Sequence, residues 1–323
     1  MKLFGIFAAV ANYFLCSVQP PSPPLSSAPE NLPILVWGGL GDSVLSSGME
    51  ELMGELSERY DTRVYGVSIG DTPSEDRRLS GLSDANYNVQ VACSKLSQLD
   101  NTPVNAIGLS QGGLFLRAVI EQCPEAPPLR HLVTFGTPHM GIERLPRCAP
   151  RDWVCAAVAL VTRWGVYTAY AQSHAVVAQY YRDPTRYAEY LRKSTWLAGL
   201  NNERALIQEG HASYSPKQGD RLAALESFTA VMFSGDTTVT PKQSAWFGSS
   251  NVSRLSNVSS EGESSEIVPL EQQPIYNHPL DPLGLRRLNE QGRLHLKACD
   301  GRHLNLTDAC MWPILDGVFD KSE

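Results

Sequence analysis

One five-residue run limits what this chain can become more than any other: Gly108-Leu109-Ser110-Gln111-Gly112, set between an apolar strand and an apolar helix. Val104, Ala106 and Ile107 read as a buried strand, and Leu114, Phe115, Ala118, Val119 and Ile120 recur at helical spacing. The turn between them must therefore be tight. Glycine on each side of the serine tolerates a backbone that a Cβ would oppose, and the start of the helix aims N–H groups at the turn. In that setting a G-x-S-x-G run presents a serine hydroxyl at the carboxyl edge of a sheet, which makes Ser110 the candidate nucleophile. Without its flanks the same run would serve equally as a glycine-rich turn.

The remaining periodicity supplies the sheet. Pro33 to Trp37 predicts a strand that opens into Gly38-Gly39-Leu40-Gly41-Asp42-Ser43. This loop lacks the G-x-G-x-x-G spacing and following lysine of a phosphate cradle, so it reads either as a plain strand-to-helix turn or as half of an oxyanion hole. In the second reading the two donors are the backbone N–H groups of Gln111 and Leu40. Thr62 to Ile69, Arg130 to Phe135, Phe228 to Phe233 and the Leu294–Leu296 stretch predict further strands, and Tyr87 to Leu99 predicts a helix. Strands alternating with helices indicate an α/β fold with a mostly parallel central sheet. Between about residues 140 and 225 the alternation gives way to a helix-rich segment with Trp153, Trp164, Tyr167, Tyr170, Tyr180, Tyr181, Tyr187, Tyr190 and Trp196. It is expected to be a helical cap, its apolar side chains either lining a groove for an acyl chain or packing the cap onto the core.

Partners for Ser110 follow from chain order. The strand Phe228–Phe233 runs into Ser234-Gly235-Asp236, and a carboxylate on a loop after a late strand suits an acid that orients an imidazole; the alternative for Asp236 is a turn or helix cap. The strand around Leu294 and Leu296 leads to the polar loop Cys299-Asp300-Gly301-Arg302-His303, which makes His303 the candidate base. His139 comes only 29 residues after Ser110, too early for the Ser, acid, His order, and is expected to shape the pocket. His295 sits within a strand, His278 in a proline-containing loop, and His174 and His211 are expected on the cap surface. Ser110, Asp236 and His303 in that order are the arrangement of an α/β-hydrolase fold. The chemistry requires no metal and no organic cofactor, and no C-x-x-C pair is present to hold a metal.

Composition then narrows the setting. A formal net charge of −7 with no block of lysine or arginine disfavours a nucleic-acid partner or a polybasic membrane anchor. Lys2 followed by the apolar stretch Leu3 to Leu15 predicts a signal peptide over residues 1–18, too short to span a bilayer, so no stable membrane insertion is expected. A Pro/Ser-rich leader over 19–30 precedes a hydrolase domain over 31–323. Of seven cysteines, Cys16 falls in the signal; the other six allow fifteen pairings and suit an oxidising compartment. Asn251, Asn257 and Asn305 each begin a glycosylation sequon, the last two residues beyond His303. Nothing in the sequence specifies an oligomeric state.

Longer runs carry a closer likeness. Val36-Trp37-Gly38-Gly39-Leu40-Gly41-Asp42-Ser43, the stretch from Gly108 to Val119, Leu145-Pro146-Arg147-Cys148, Ser244-Ala245-Trp246-Phe247-Gly248 and Asp281-Pro282-Leu283-Gly284-Leu285 together resemble the palmitoyl-protein thioesterases. The resemblance spans Leu32 to Trp312. It departs at Gly38, where the family has histidine after the tryptophan. It implies an acyl-enzyme on Ser110, S-acylated proteins or peptides as substrates, the lysosome as compartment and the cap as acyl groove. The family triad falls on Ser110, Asp236 and His303. The family disulfides fall on Cys93 with Cys123 and Cys148 with Cys155, leaving Cys299 and Cys310, which are expected to pair around the histidine loop. The same triad would serve an acyl-CoA thioesterase or a lipase, and a noncatalytic acyl-chain binder is the remaining alternative.

Overall fold

The carboxyl ends of six parallel strands come together along one edge, and that edge is where the candidate residues lie. In the computed structural model, which describes residues 31–145, 153–204, 216–252 and 266–319, the strands are β1 (Ile34–Trp37), β2 (Val64–Gly66), β3 (Val104–Leu109), β4 (Leu129–Phe135) and β5 (Ser227–Phe233). A separate antiparallel ribbon, β6 (Ser249–Ser250) with β7 (Ile267–Val268), precedes β8 (Leu294–Cys299), which completes the sheet. The order is β2-β1-β3-β4-β5-β8 with every neighbouring pair parallel. Every residue of β1, β3 and β5 is buried, as expected of parallel strands covered on both faces. Pairing aligns Trp37 with Gly108, Leu109 with Phe135 and Phe233 with Cys299, so the loops that follow these strands emerge side by side.

Helices cover both faces. On one side α3 (Ala85–Leu96) and α4 (Gln111–Gln122) bury Val89, Ala92, Leu114, Phe115 and Ala118. On the other, α1 (Ser47–Tyr60) and the C-terminal helix Asp308–Phe319 bury Leu56, Met311, Leu315 and Phe319. Helix α2 (Pro73–Gly81) falls in a polar stretch whose periodicity gives no core face. Local chemistry starts it: the Thr72 hydroxyl accepts from the Glu75 N–H at 3.2 Å, and Pro73 supplies a preset φ in the first turn. Buried Asp76 fastens it by accepting the Ile69 and Gly70 N–H groups at 2.7 and 3.1 Å.

Between β4 and β5 the chain forms α5 (Trp153–Thr162), α6 (Ala171–His174), α7 (Val176–Gln179), α8 (Tyr187–Lys193), α9 (Leu197–Leu200) and α10 (Pro216–Ala223). Of the aromatic side chains expected in this segment, Tyr167, Tyr180, Tyr190 and Trp196 are buried. A ring stack runs from Trp37 through Phe115 to Trp196, with centroids 4.9 Å apart at each step, and joins β1, α4 and the segment. Gln179 ties α7 to α3, accepting from the Ala85 N–H at 2.7 Å and donating to Asp84 at 3.2 Å. Arg182 meets Glu203 at 2.9 Å, both nearly inaccessible, and Tyr187 and Tyr190 donate their hydroxyls to the same carboxylate.

Two cystines lie wholly among the described residues. Cys93–Cys123 joins α3 to the end of α4 with Cα atoms 5.4 Å apart, and Cys299–Cys310 joins the end of β8 to the C-terminal helix at 5.5 Å. Cys148, Asn257, His211 and the leader lie outside the described residues. Among the described residues no helix is long and apolar enough to cross a membrane. Removing the carboxylate of Glu203 leaves Arg182 charged and buried, so Glu203→Ala is expected to lower unfolding stability by roughly 3–5 kcal/mol. Denaturant titration of the variant against wild type measures it.

Candidate active site

Ser110 occupies a conformation few side chains accept. Its φ of 51° and ψ of −124° turn the chain from β3 directly into α4. Such backbone stores about 1–3 kcal/mol and must be held by its surroundings. The Ser110 N–H donates to the Phe135 carbonyl at 2.8 Å, and the Thr137 hydroxyl donates to the Ser110 carbonyl at 2.7 Å. Glycine two residues on is obligatory for a different reason: a Cβ on Gly112 would stand 2.2 Å from the Trp37 carbonyl oxygen. The helix can start beneath the end of β1 only because that atom is missing.

From Ser110 a file of hydrogen bonds leads inward. The Ser110 Oγ lies 2.9 Å from His303 Nε2, and His303 Nδ1 lies 2.6 Å from an Asp236 carboxylate oxygen. The other Asp236 oxygen accepts the Thr238 and Val239 N–H groups at 2.8 and 3.0 Å, which fixes the carboxylate's orientation. Asp236 thus makes the turn-capping bonds weighed as its alternative role while also meeting the imidazole. The His303 loop is braced against β5 by a Gly235 N–H to Gly301 carbonyl bond at 2.8 Å. The Cys299–Cys310 cystine brackets the loop. The Trp246 indole N–H reaches the Ala230 carbonyl of β5 at 3.1 Å and the Lys297 carbonyl of β8 at 3.0 Å, clamping the two strands that lead to Asp236 and His303.

The glycine loop after β1 lies against the serine: a Cβ on Gly39 would fall 3.2 Å from Ser110 Cβ. Among the described residues neither the Leu40 nor the Gln111 N–H donates to another protein group. Behind them, Ser80 of α2 accepts the Gly41 N–H through its hydroxyl at 2.8 Å and the Gln111 side-chain amide through its carbonyl at 2.7 Å. Thr137, Ser80 and Gly136 escape sequence reasoning. Only Gly136 left a signal there, as the glycine that ends the β4 stretch. Its φ is 61°, and a Cβ would come 3.0 Å from His303 Cε1.

The other histidines stand apart from this file. His139 is buried beneath α4, stacked on Phe247 at 4.5 Å, with Nε2 at 3.0 Å from the Thr134 hydroxyl. Buried Arg117 donates to its carbonyl oxygen, and so does Asn201. Burial above all, with the Arg117 charge adding to it, pushes the His139 pKa far below its ordinary 6.5. This imidazole is core structure. His174 is exposed, as expected. Asn305 is exposed, and its side-chain amide turns back toward Gly301, within 2.5 Å of where a Cβ there would stand. Among the described residues no three His, Cys, Asp or Glu side chains converge as a metal centre requires.

Comparison with known proteins follows the same region. A family model described as palmitoyl protein thioesterase matches residues 33–303. Palmitoyl-protein thioesterase 1 of Caenorhabditis elegans is 31% identical over 300 residues, spanning 90% of this chain and 93% of its own. A palmitoyl-protein thioesterase-dolichyl pyrophosphate phosphatase fusion of Schizosaccharomyces pombe is 34% identical over 282 residues, 86% of this chain and 42% of that one. A lysosomal thioesterase PPT2 homolog of Drosophila melanogaster is 26% identical over 201 residues, 62% of each chain.

Two outcomes are expected from this geometry. Gly136→Ala forces the His303 ring aside, and turnover of an activated acyl ester should fall about tenfold to a hundredfold, with circular dichroism unchanged. His139 stays neutral in the folded state, whereas the unfolded chain takes up a proton as the pH drops through about 6.5. Stability should therefore decline below that pH by up to about 1.4 kcal/mol per pH unit. His139→Gln should flatten this dependence in denaturant melts taken from neutral to acidic pH.

Proposed function

Since the chain belongs to the palmitoyl-protein thioesterase family, we propose that it is a serine thioesterase that removes long-chain fatty acyl groups from cysteine sulfur through an acyl-enzyme on Ser110. The observation that carries this reading is the Ser110–His303–Asp236 hydrogen-bonded file, opening on the strained turn that the family match encloses. His303 Nε2 takes the Ser110 proton as Oγ attacks the thioester carbonyl. Asp236 holds the imidazole in the tautomer whose Nδ1 carries hydrogen, and stabilises the imidazolium that forms. The Gln111 and Leu40 N–H groups, undirected toward any acceptor among the described residues, receive the charge that develops on the carbonyl oxygen. The cysteine sulfur then departs as a thiol, taking up the proton that His303 accepted from Ser110. A thiol of pKa about 8.5 is a better leaving group than an alcohol, so protonation by His303 contributes less to this step than it would for an ester. Water, deprotonated by the same imidazole, hydrolyses the acyl-serine and regenerates the enzyme.

The substrates of this reading are S-acylated proteins or peptides. The hydrolase domain runs over 31–323, the helical segment at about 140–225 acts as the acyl-binding cap, and the first 30 residues are signal and leader. A lysosomal or earlier secretory location is supported by the thioesterase relatives named as lysosomal and by two cystines, and Asn251 and Asn305 are candidate glycan sites.

Fluorophosphonate labelling of wild type and Ser110→Ala, with hydrolysis of an S-palmitoyl peptide, palmitoyl-CoA and a triglyceride side by side, tests the proposal. Labelling should vanish and peptide hydrolysis fall by about 10³-fold or more in the variant. A wild-type preference for triglyceride would identify a lipase instead, and undiminished turnover by Ser110→Ala would remove the nucleophile.

A further inference from the structure

Helix α5 breaks the ordinary rule for a helix at a protein surface. Its ten residues, Trp153 to Thr162, include no charged side chain. Cys155, Val158 and Thr162 turn inward, where the helix packs against α2 and α6. The outward positions are Ala156, Ala159 and Leu160, followed by Arg163 and Trp164 in the turn beyond. A helix that meets water on one side normally carries a polar stripe there. Here Leu160 is 58% exposed and Trp164 77%, and Tyr170, just before α6, is 61% exposed. Among the described residues these are the most exposed large apolar side chains of the segment, whereas Tyr167, Tyr180, Tyr190 and Trp196 are buried and Tyr181 and Tyr187 half-buried.

The chemistry of the patch selects its partner. Tryptophan and tyrosine beside cations favour the boundary between lipid headgroups and acyl chains, where an amphipathic ring satisfies both sides. The Arg163 guanidinium lies 4.8 Å over the Trp164 ring, and His174 stacks on Tyr170 at 4.3 Å. Charge is distributed accordingly: residues 140–225 carry eleven lysines and arginines against seven aspartates and glutamates, in a chain of net charge −7. An acidic headgroup layer would attract this segment, with Arg163 at the patch itself, more than the rest of the molecule. The same distribution opposes face-to-face pairing of two copies.

We propose that Leu160, Arg163, Trp164 and Tyr170 form a docking surface for a bilayer bearing acidic headgroups. The surface is one helix away from the chemistry. Helix α2, against which α5 packs, also supplies Ser80, the acceptor for the Gly41 N–H and the Gln111 side chain beside Ser110. Membrane-anchored S-acyl chains have their thioester near the headgroup level, so a shallow interfacial contact would bring Ser110 close to its substrate without a membrane-spanning helix. This role for the surface rests on the depalmitoylating activity; the docking itself does not.

Sedimentation of the full chain with vesicles tests the docking independently of catalysis. Phosphatidylcholine vesicles containing phosphatidylserine should carry the protein down, and vesicles of phosphatidylcholine alone should carry several-fold less. The exposed double variant Leu160→Ser/Trp164→Ser should lower vesicle partitioning by about tenfold or more, with turnover of a water-soluble short-chain thioester unchanged. Arg163→Glu should remove most of the phosphatidylserine dependence. Wild-type protein that stays in the supernatant, variants that bind as wild type does, or a patch-dependent dimer in light scattering would each overturn the proposal. Loss of thioesterase activity with vesicle binding intact would instead strike only the catalytic reading.

Discussion

Everything at the carboxyl edge of the sheet depends on how closely α4 begins beneath the end of β1. Gly112 passes the Trp37 carbonyl at a distance that excludes a Cβ, and this proximity lets the chain turn at a single residue, Ser110, with φ at 51°. Two contacts from β4 and its loop hold that residue: the Phe135 carbonyl accepts its N–H, and Thr137 donates to its carbonyl. The sheet supplies the rigidity, because β3 is buried along its whole length between β1 and β4. A strained turn persists when the packing around it leaves no relaxed alternative, and here the packing belongs to three separate strands.

Much of this was legible in the sequence because the signals are local. Periodicity located β1, β3, β4, β5 and β8, and glycines marked the loops that follow them; Ser110, Asp236 and His303 could then be singled out by the strand each one follows. Helix α2 was not legible, since its stability comes from the Thr72 cap and from Asp76 accepting backbone N–H groups, neither of which leaves a hydrophobic pattern. The same holds for Thr137, Ser80 and Trp246. These contacts each use a main-chain atom brought close by the fold, and a sequence does not display main-chain proximity. His139 was expected to shape the pocket and is instead an interior residue between Thr134 and Phe247, a distinction set by packing depth rather than by chain order.

The helical segment divides its aromatic residues by task. Trp196 fastens it to the core through Phe115, and Tyr167 and Tyr190 pack within it beside the buried Arg182–Glu203 ion pair. Sequence reasoning could not decide between packing and lining for these side chains, and packing accounts for those that are buried. Trp164 and Tyr170 do neither, and their exposure is the reason to look outward for what meets them.

The bond between Ser110 and His303 joins residues 193 positions apart, and the histidine arrives on the loop after β8, the last strand and an edge of the sheet. In the proposed mechanism Ser110 therefore has its base only once β8, the last strand of the sheet in chain order, is in place. Hydrolysis by that route requires the completed sheet rather than any part of it. Turnover would therefore report the finished molecule and not the partially assembled one.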